Sequence, residues 1–235
     1  MKLDLRIRTD SPAADGYWTP RVAYRRVVEL VHEQGPKALW FKVLGETVYR
    51  RLAVYAFPID GSLPKTHGVP AELGLLAPED VDAYLDLRPQ ADAAEIQARL
   101  RDGQRCLVAR SEGRIVHVRW SSTQSVWVDV LGCTFRLAPG YELGHGTFTH
   151  PDFRRYGLAG AVRAEMIRRL REEGITCSLA IVEPENIPSV RFNEKFGFRR
   201  IGVIGRLGAG RARYCFCRMD EGETAPGRMC AGERW

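Results

Sequence analysis

Residues 150–166, HPDFRRYGLAGAVRAEM, constrain the fold more than any other stretch of the chain. Two arginines, an aromatic residue and Gly-x-Ala-Gly stand directly before a run with Leu158, Val162, Met166 and Leu170 at helical spacing, and Gly174 stops that run. A strand that ends, a loop with few side chains and a helix N-terminus aiming free N–H groups at one spot make an anion site. Gly157 and Ala159 let the backbone come close to a bulky diphosphate, and Arg154 and Arg155 supply countercharge. The lysine and hydroxyl of G-x-x-x-x-G-K-[ST] are missing, which disfavours a nucleoside triphosphatase, and G-x-G-x-x-G is absent too.

The segments around this junction alternate between the two backbone periods. PEDVDAYLDLR and ADAAEIQARLRDG read as helices, the second stopped by Gly103. RCLVARSEGRIVHVRWSS reads as a hairpin turning at Glu112-Gly113, followed by strands over 126–137 and 141–149 separated by Ala138-Pro139-Gly140. After the helix that ends near Glu173, TCSLAIV is apolar enough for a strand buried on both faces. Asn186 suits the cap of a helix with Pro188 in its first turn, running to Lys195 before Gly197. FRRIGVI and RARYCFCRM read as final strands. The pattern is α/β of the α+β type. Upstream, 21–34 and 37–44 read as helices, TVYRRLAVYAFPI as a strand, and 61–70 as a linker, so 1–70 is expected to be an N-terminal extension of two helices and a strand. The main domain then spans 71–220, and 221–235 reads as a loose tail.

Composition excludes several classes. No apolar run has the length of a signal peptide or a membrane span, so a cytoplasmic protein without membrane contact is expected. The six cysteines include no C-x-x-C pair, which predicts neither a zinc site nor a disulfide framework. A net charge of +6 carried mostly by arginine suits phosphate-bearing ligands. No helix-turn-helix, zinc or RNA-recognition signature accompanies that charge.

About thirty residues after the glycine loop comes VEPENIPSVRFNEKFGF. Together with THPDFRRYGLAGAVRAEMIRRLREEG it makes residues 77–220 resemble the GNAT-superfamily N-acyltransferases, whose second motif is N-x-x-[SA]-x-x-x-Y-x-K-x-G-F. The resemblance implies a mixed, mostly antiparallel sheet, splayed at the donor site and carrying helices on both faces. It implies acetyl-CoA or another acyl-CoA as donor, a small-molecule amine as acceptor, and direct attack in a ternary complex without metal. The donor's pyrophosphate would lie on backbone N–H groups of Arg154, Arg155, Tyr156, Gly157, Leu158, Ala159 and Gly160. Its pantetheine would run along Phe148 and Thr149, with Asn186 and Ser189 on the same side. A backbone N–H near Thr149 would face the oxyanion, a contact that in such sites is worth about 3–4 kcal/mol.

An ammonium acceptor needs a base, and Glu142 stands where many family members carry a catalytic glutamate; His145 and His150 are its rivals. Nothing in the sequence ties His32, His67 or His117 to the site. One position departs from the family: Asn193 stands where a tyrosine usually reprotonates the departing thiolate, and an amide is no acid. That departure admits a carrier-protein thioester or an aminoacyl-tRNA as donor, or a non-catalytic CoA-binding module. The acceptor is expected against residues 77–103, where Glu79, Asp80, Asp82 and Asp86 lie, and the extension is expected to edge the acceptor cleft or make a homodimer contact.

Overall fold

A computed structural model of the chain describes residues 49–60, 63–64, 71–208 and 214–230. The helices expected at 21–34 and 37–44, most of the expected linker, His32 and His67 lie outside the described residues. The elements run β1 (Tyr49–Pro58), β2 (Glu72–Leu75), a 3-10 turn, α1 (Val81–Leu87), α2 (Ala93–Arg101), β3 (Arg105–Ser111) and β4 (Arg114–Ser122). There follow β5 (Ser125–Val128), β6 (Cys133–Leu137), β7 (Tyr141–Thr149), α3 (Leu158–Glu172), β8 (Cys177–Val182), α4 (Ile187–Phe196), β9 (Arg199–Leu207), β10 (Tyr214–Met219) and β11 (Gly227–Cys230). Eight strands form one sheet in the order β10-β9-β1-β8-β7-β4-β3-β2, and β11-β6-β5 form a second. Among the described residues only β7 and β8 pair in parallel, so the expected mixed, mostly antiparallel sheet is what the chain builds.

Strand alternation decides what each face of the large sheet meets. From β1, Ala53, Tyr55 and Phe57 join Leu158, Val162, Met166, Ile167 and Leu170 of α3 in one core. Leu52, Val54 and Ala56, the alternate residues, meet Val126, Leu131 and Phe135 of the small sheet in another. A third core sets Tyr84, Leu87 and Ile96 of α1 and α2 against Val118 and Trp120 of β4. The helices therefore lie on both faces. Burying a Leu or Phe side chain contributes about 1.5–3 kcal/mol, so these cores supply most of the drive to fold. The β3–β4 turn falls at Glu112-Gly113 as expected, with φ of 50° and 76°, the two left-handed residues of a tight hairpin.

Four expectations need correction. β1, expected in an N-terminal extension, lies inside the sheet, paired with β8 on one side and β9 on the other, because its two apolar faces match both cores. The expected strand over 126–137 is two strands, parted by a turn through Gly132 at φ 60°, and they pair with each other and with β11 rather than with β7. Residues 227–230, expected in a loose tail, are that third strand. Cys133 and Cys215, expected free, are joined as a disulfide across 82 residues with Cα atoms 6.9 Å apart, because β6 and β10 share a core that no local spacing reveals.

Candidate active site

The site starts where a strand pair ends. β7 and β8 pair only from Tyr141–Gly144 against Cys177–Ala180, although β7 runs on to Thr149 and β8 to Val182. Beyond Gly144 and Ala180 the strands part. Residues 145–149 of β7 keep β4 on one edge, and their other edge has no strand partner among the described residues, leaving backbone groups for a ligand. A bulge marks the same stretch: Val118 pairs Phe148 and Trp120 pairs His145, so Gly146 and Thr147 together oppose Arg119. Gly146 has φ 56°, and a Cβ there would stand 2.9 Å from the Trp120 indole, so only glycine fits the bulge.

The loop after β7 leads into a helix N-terminus at the expected strand-loop-helix junction. Arg155 and Gly157 both adopt left-handed backbone, with φ 71° and 80°, which turns the chain sharply into α3. Gly157 caps α3 without any side-chain hydrogen bond, no acidic residue sits in the first turn, and the space beside Gly160 is open. The first-turn N–H groups of Leu158, Ala159 and Gly160 therefore face outward with the positive end of the helix dipole behind them. Arg154, Arg155 and Tyr156 are exposed, and neither arginine pairs with a carboxylate among the described residues. Arg154 instead donates through Nε to the Thr149 carbonyl at 3.4 Å, tying the loop to the end of β7.

Across the gap, Asn186 caps α4 by accepting the Ser189 N–H at 3.2 Å. Its carbonyl is used, while its amide N–H groups remain available. Phe148 packs against the core of α1 and α2 with the Arg88 guanidinium 5.2 Å above its ring. Thr149 Oγ1 lies 2.7 Å from Nδ1 of His117, the histidine that the sequence left unconnected to the site.

The three candidate bases have different surroundings. Glu142 is fully buried in the half of β7 that pairs with β8; its carboxylate accepts the Ser178 hydroxyl at 2.6 Å and pairs with Arg119 at 3.1 Å. His145 stacks on Trp120, with Nε2 shut off from solvent and unpartnered; burial, then the charges of Arg99 and Arg119, push its pKa down to about 3. His150 Nδ1 accepts the Asp152 N–H at 3.3 Å as the cap of the short turn that opens the loop.

Sequence reasoning missed a buried polar cluster beneath α3 and α4. Arg119, on β4, crosses Gly144 to reach Glu142; a Cβ on Gly144 would lie 2.0 Å from its Nη2. Arg163, from the second turn of α3, donates through Nη1 to Asn193 Oδ1 at 2.8 Å, and Asn193 donates in turn to the Ser189 carbonyl at 2.8 Å. The Arg163 guanidinium also lies 4.5 Å, 5.2 Å and 4.7 Å from the ring centres of Phe192, Phe196 and Phe198. His117, beside them, is held neutral by burial and by the charges of Arg119 and Arg163, its pKa pushed down to about 4. A signal existed: β4 is buried on both faces, yet His117, Arg119 and Ser121 alternate through it, and a doubly buried strand with one polar face calls for partners.

On the opposite face of the sheet a cleft of about 350 Å³ opens between α2 and the start of β5, lined by Glu95, Arg99, Asp102, Gln104, Gln124 and His145 among others. The carboxylates in it are not the four nearer the start of the expected acceptor region. Asp80 is committed to Arg110 and to the Ala77 N–H, while Glu95 pairs with Arg99. Among the described residues no group of three or more His, Cys, Asp or Glu is placed to hold a metal, and no helix is long and apolar enough to cross a membrane.

The family model for FR47-like proteins matches residues 139–206, the segment that runs from β7 through the cradle, α3, β8 and α4 into β9. Similar solved structures include an assigned GNAT-family acetyltransferase of Novosphingobium aromaticivorans, at TM-score 0.48 and 19% identity over 68% of this chain and 66% of that one. They also include the aminoglycoside N-acetyltransferase AAC(6')-Iy in complex with CoA, at TM-score 0.44 and 24% identity over 55% of this chain and 91% of that one. A ribosomal-protein-alanine N-acetyltransferase of Brucella melitensis is similar at TM-score 0.44 and 19% identity, over 55% of this chain and 84% of that one. The chain spans just under two thirds of the length of the first of these. No curated protein matches it. The FR47-like match falls on the segment that builds the site.

Proposed function

We propose that the protein is an N-acyltransferase that takes an acyl group from acyl-CoA and delivers it to the primary amine of a small molecule. The observation that carries this reading is the half-paired strand: β7 gives up β8 at Gly144 and leads through a short loop to a helix N-terminus without a side-chain cap, flanked by two exposed arginines that pair with no carboxylate among the described residues. An extended thioester with a diphosphate at one end fits that pairing of features. Arg154, Arg155 and the N–H groups of 158–160 hold the diphosphate, the free edge of 145–149 holds the pantetheine amides, and the Asn186 amide faces them from α4. The acceptor enters from the cleft at α2, where His145 forms part of the wall.

The amine nitrogen forms a bond to the thioester carbon, the carbon–sulfur bond breaks, and the electron pair leaves on sulfur. Glu142 is enclosed and ion-paired, His145 is buried with its pKa pushed down to about 3, and His150 Nδ1 accepts the Asp152 N–H, so in this reading the amine's proton goes to water. The pH profile for acceptor use therefore follows the acceptor's own pKa: with an alkylamine it rises throughout the neutral range, and with a weakly basic amine it is flat. A profile with the same break for both amines would return the base to the protein.

The test of the donor is calorimetric titration with acetyl-CoA, desulfo-CoA and phosphopantetheine. Tight binding of both CoA forms and weak binding of phosphopantetheine supports the cradle. Equal binding of phosphopantetheine moves the donor to a carrier-protein thioester, and binding of none removes the reading.

A further inference from the structure

One buried charge is left over. Beneath α3 and α4 the structure encloses two guanidinium groups, Arg119 and Arg163, and one carboxylate, Glu142. Glu142 pairs with Arg119, whereas Arg163 reaches no carboxylate: its partners are the neutral Asn193 and three aromatic rings, and its Nε has no hydrogen-bond acceptor. A buried cation without an ion partner is costly and is retained only where something else draws on it. Its place in the topology says what that is. α3 follows the end of β7 and α4 follows the end of β8, so the two helices that carry Arg163 and Asn193 in their second turns both start from the end at which the two strands part. Its charge is felt at His117, whose ring is bonded to Thr149 at the open end of β7.

We propose that the Arg163 guanidinium, held in place by Asn193, is the positive charge that stabilises the departing CoA thiolate, so that the reaction needs no proton donor at position 193. The inference rests on the acyl-CoA reading above. When the carbon–sulfur bond breaks, the electron pair settles on sulfur beside a cation in a low-dielectric site, where such a charge acts strongly and without reorganisation. The thiolate then leaves as an anion and takes its proton from water after release. Asn193 is a positioning residue. The charged or titratable groups facing Arg163 are His117 and Arg119 from β4 and Glu142 from β7, while α4 offers only Asn193 and its phenylalanines, so the net field of the set is positive.

The experiment is an ultraviolet titration of the thiol of CoA bound to the full chain, with desulfo-CoA binding as the control. The bound thiol of the wild type is expected to be at least about tenfold more acidic than the thiol of free CoA titrated alongside it. Asn193→Asp places a carboxylate on the same hydrogen bond and neutralises Arg163. It is expected to return the bound thiol to the free value and to lower kcat with little change in donor KM, while desulfo-CoA binds within about twofold of wild type. Arg163→Lys, which keeps the charge, is expected to retain most of the acidity, and Arg163→Met to lose it. A bound thiol that titrates like the free one in the wild type overturns the proposal, as does an Asn193→Asp variant with unchanged thiol acidity. Failure of desulfo-CoA to bind the wild type overturns the acyl-CoA reading itself, and this proposal with it.

Discussion

The two halves of β7 are built on opposite principles. From Tyr141 to Gly144 the strand is paired with β8, Leu143 and Gly144 are paired with β4 as well, Glu142 and Leu143 are fully enclosed, and the Glu142 carboxylate meets Ser178 and Arg119. From His145 to Thr149 it is paired on one edge, broken by a glycine bulge and partly exposed. A glutamate four residues from the bulge, expected as a base, is fully enclosed with Ser178 and Arg119 as its partners. The comparison teaches that the strand spends its first half fixing the position at which its second half can be left open for a ligand.

The largest effect expected comes from breaking the anchored half. Glu142→Gln leaves Arg119 buried without its counter-ion and should cost about 3–5 kcal/mol in urea denaturation. Gly144→Ala should approach the same loss by pushing Arg119 off Glu142. A stable Glu142→Gln enzyme with a shifted pH profile would instead make Glu142 the base. Next comes the open half. Gly157→Glu should weaken acetyl-CoA binding by on the order of ten- to a hundredfold, since each lost charge-assisted hydrogen bond is worth about 1.5–3 kcal/mol, while the unfolding midpoint moves far less than for Glu142→Gln. Equal damage to both properties would erase the distinction between the two halves.

The smallest effect sharpens the boundary between them. His117 and His145 resist protonation in the fold down to about 4 and about 3, whereas an unfolded histidine protonates near 6.5. Stability is therefore full above pH 6.5 and is lost as the pH falls below it, by up to about 1.4 kcal/mol per pH unit for each histidine, because the unfolded chain binds the protons first. Denaturation curves from pH 7 to pH 4 measure the slope. His117→Gln should lower that slope by about one proton's worth, and no change in slope would mean that His117 is not held neutral.

What the sequence determined by itself is local. The glycine stop of α3, the Asn186 cap, the Glu112-Gly113 hairpin and the left-handed Gly157 follow from residues within a few positions of one another, where backbone sterics and capping act. The strand-loop-helix junction before α3 was legible for the same reason. Only the tertiary structure decided which polar groups share the interior. Arg119 meets Glu142 across 23 residues, Arg163 meets Asn193 across 30, and β1 enters the sheet between strands more than a hundred residues away. Periodicity states that a face is buried but not which face it meets, and a carboxylate becomes an anchor or a base according to that partner alone.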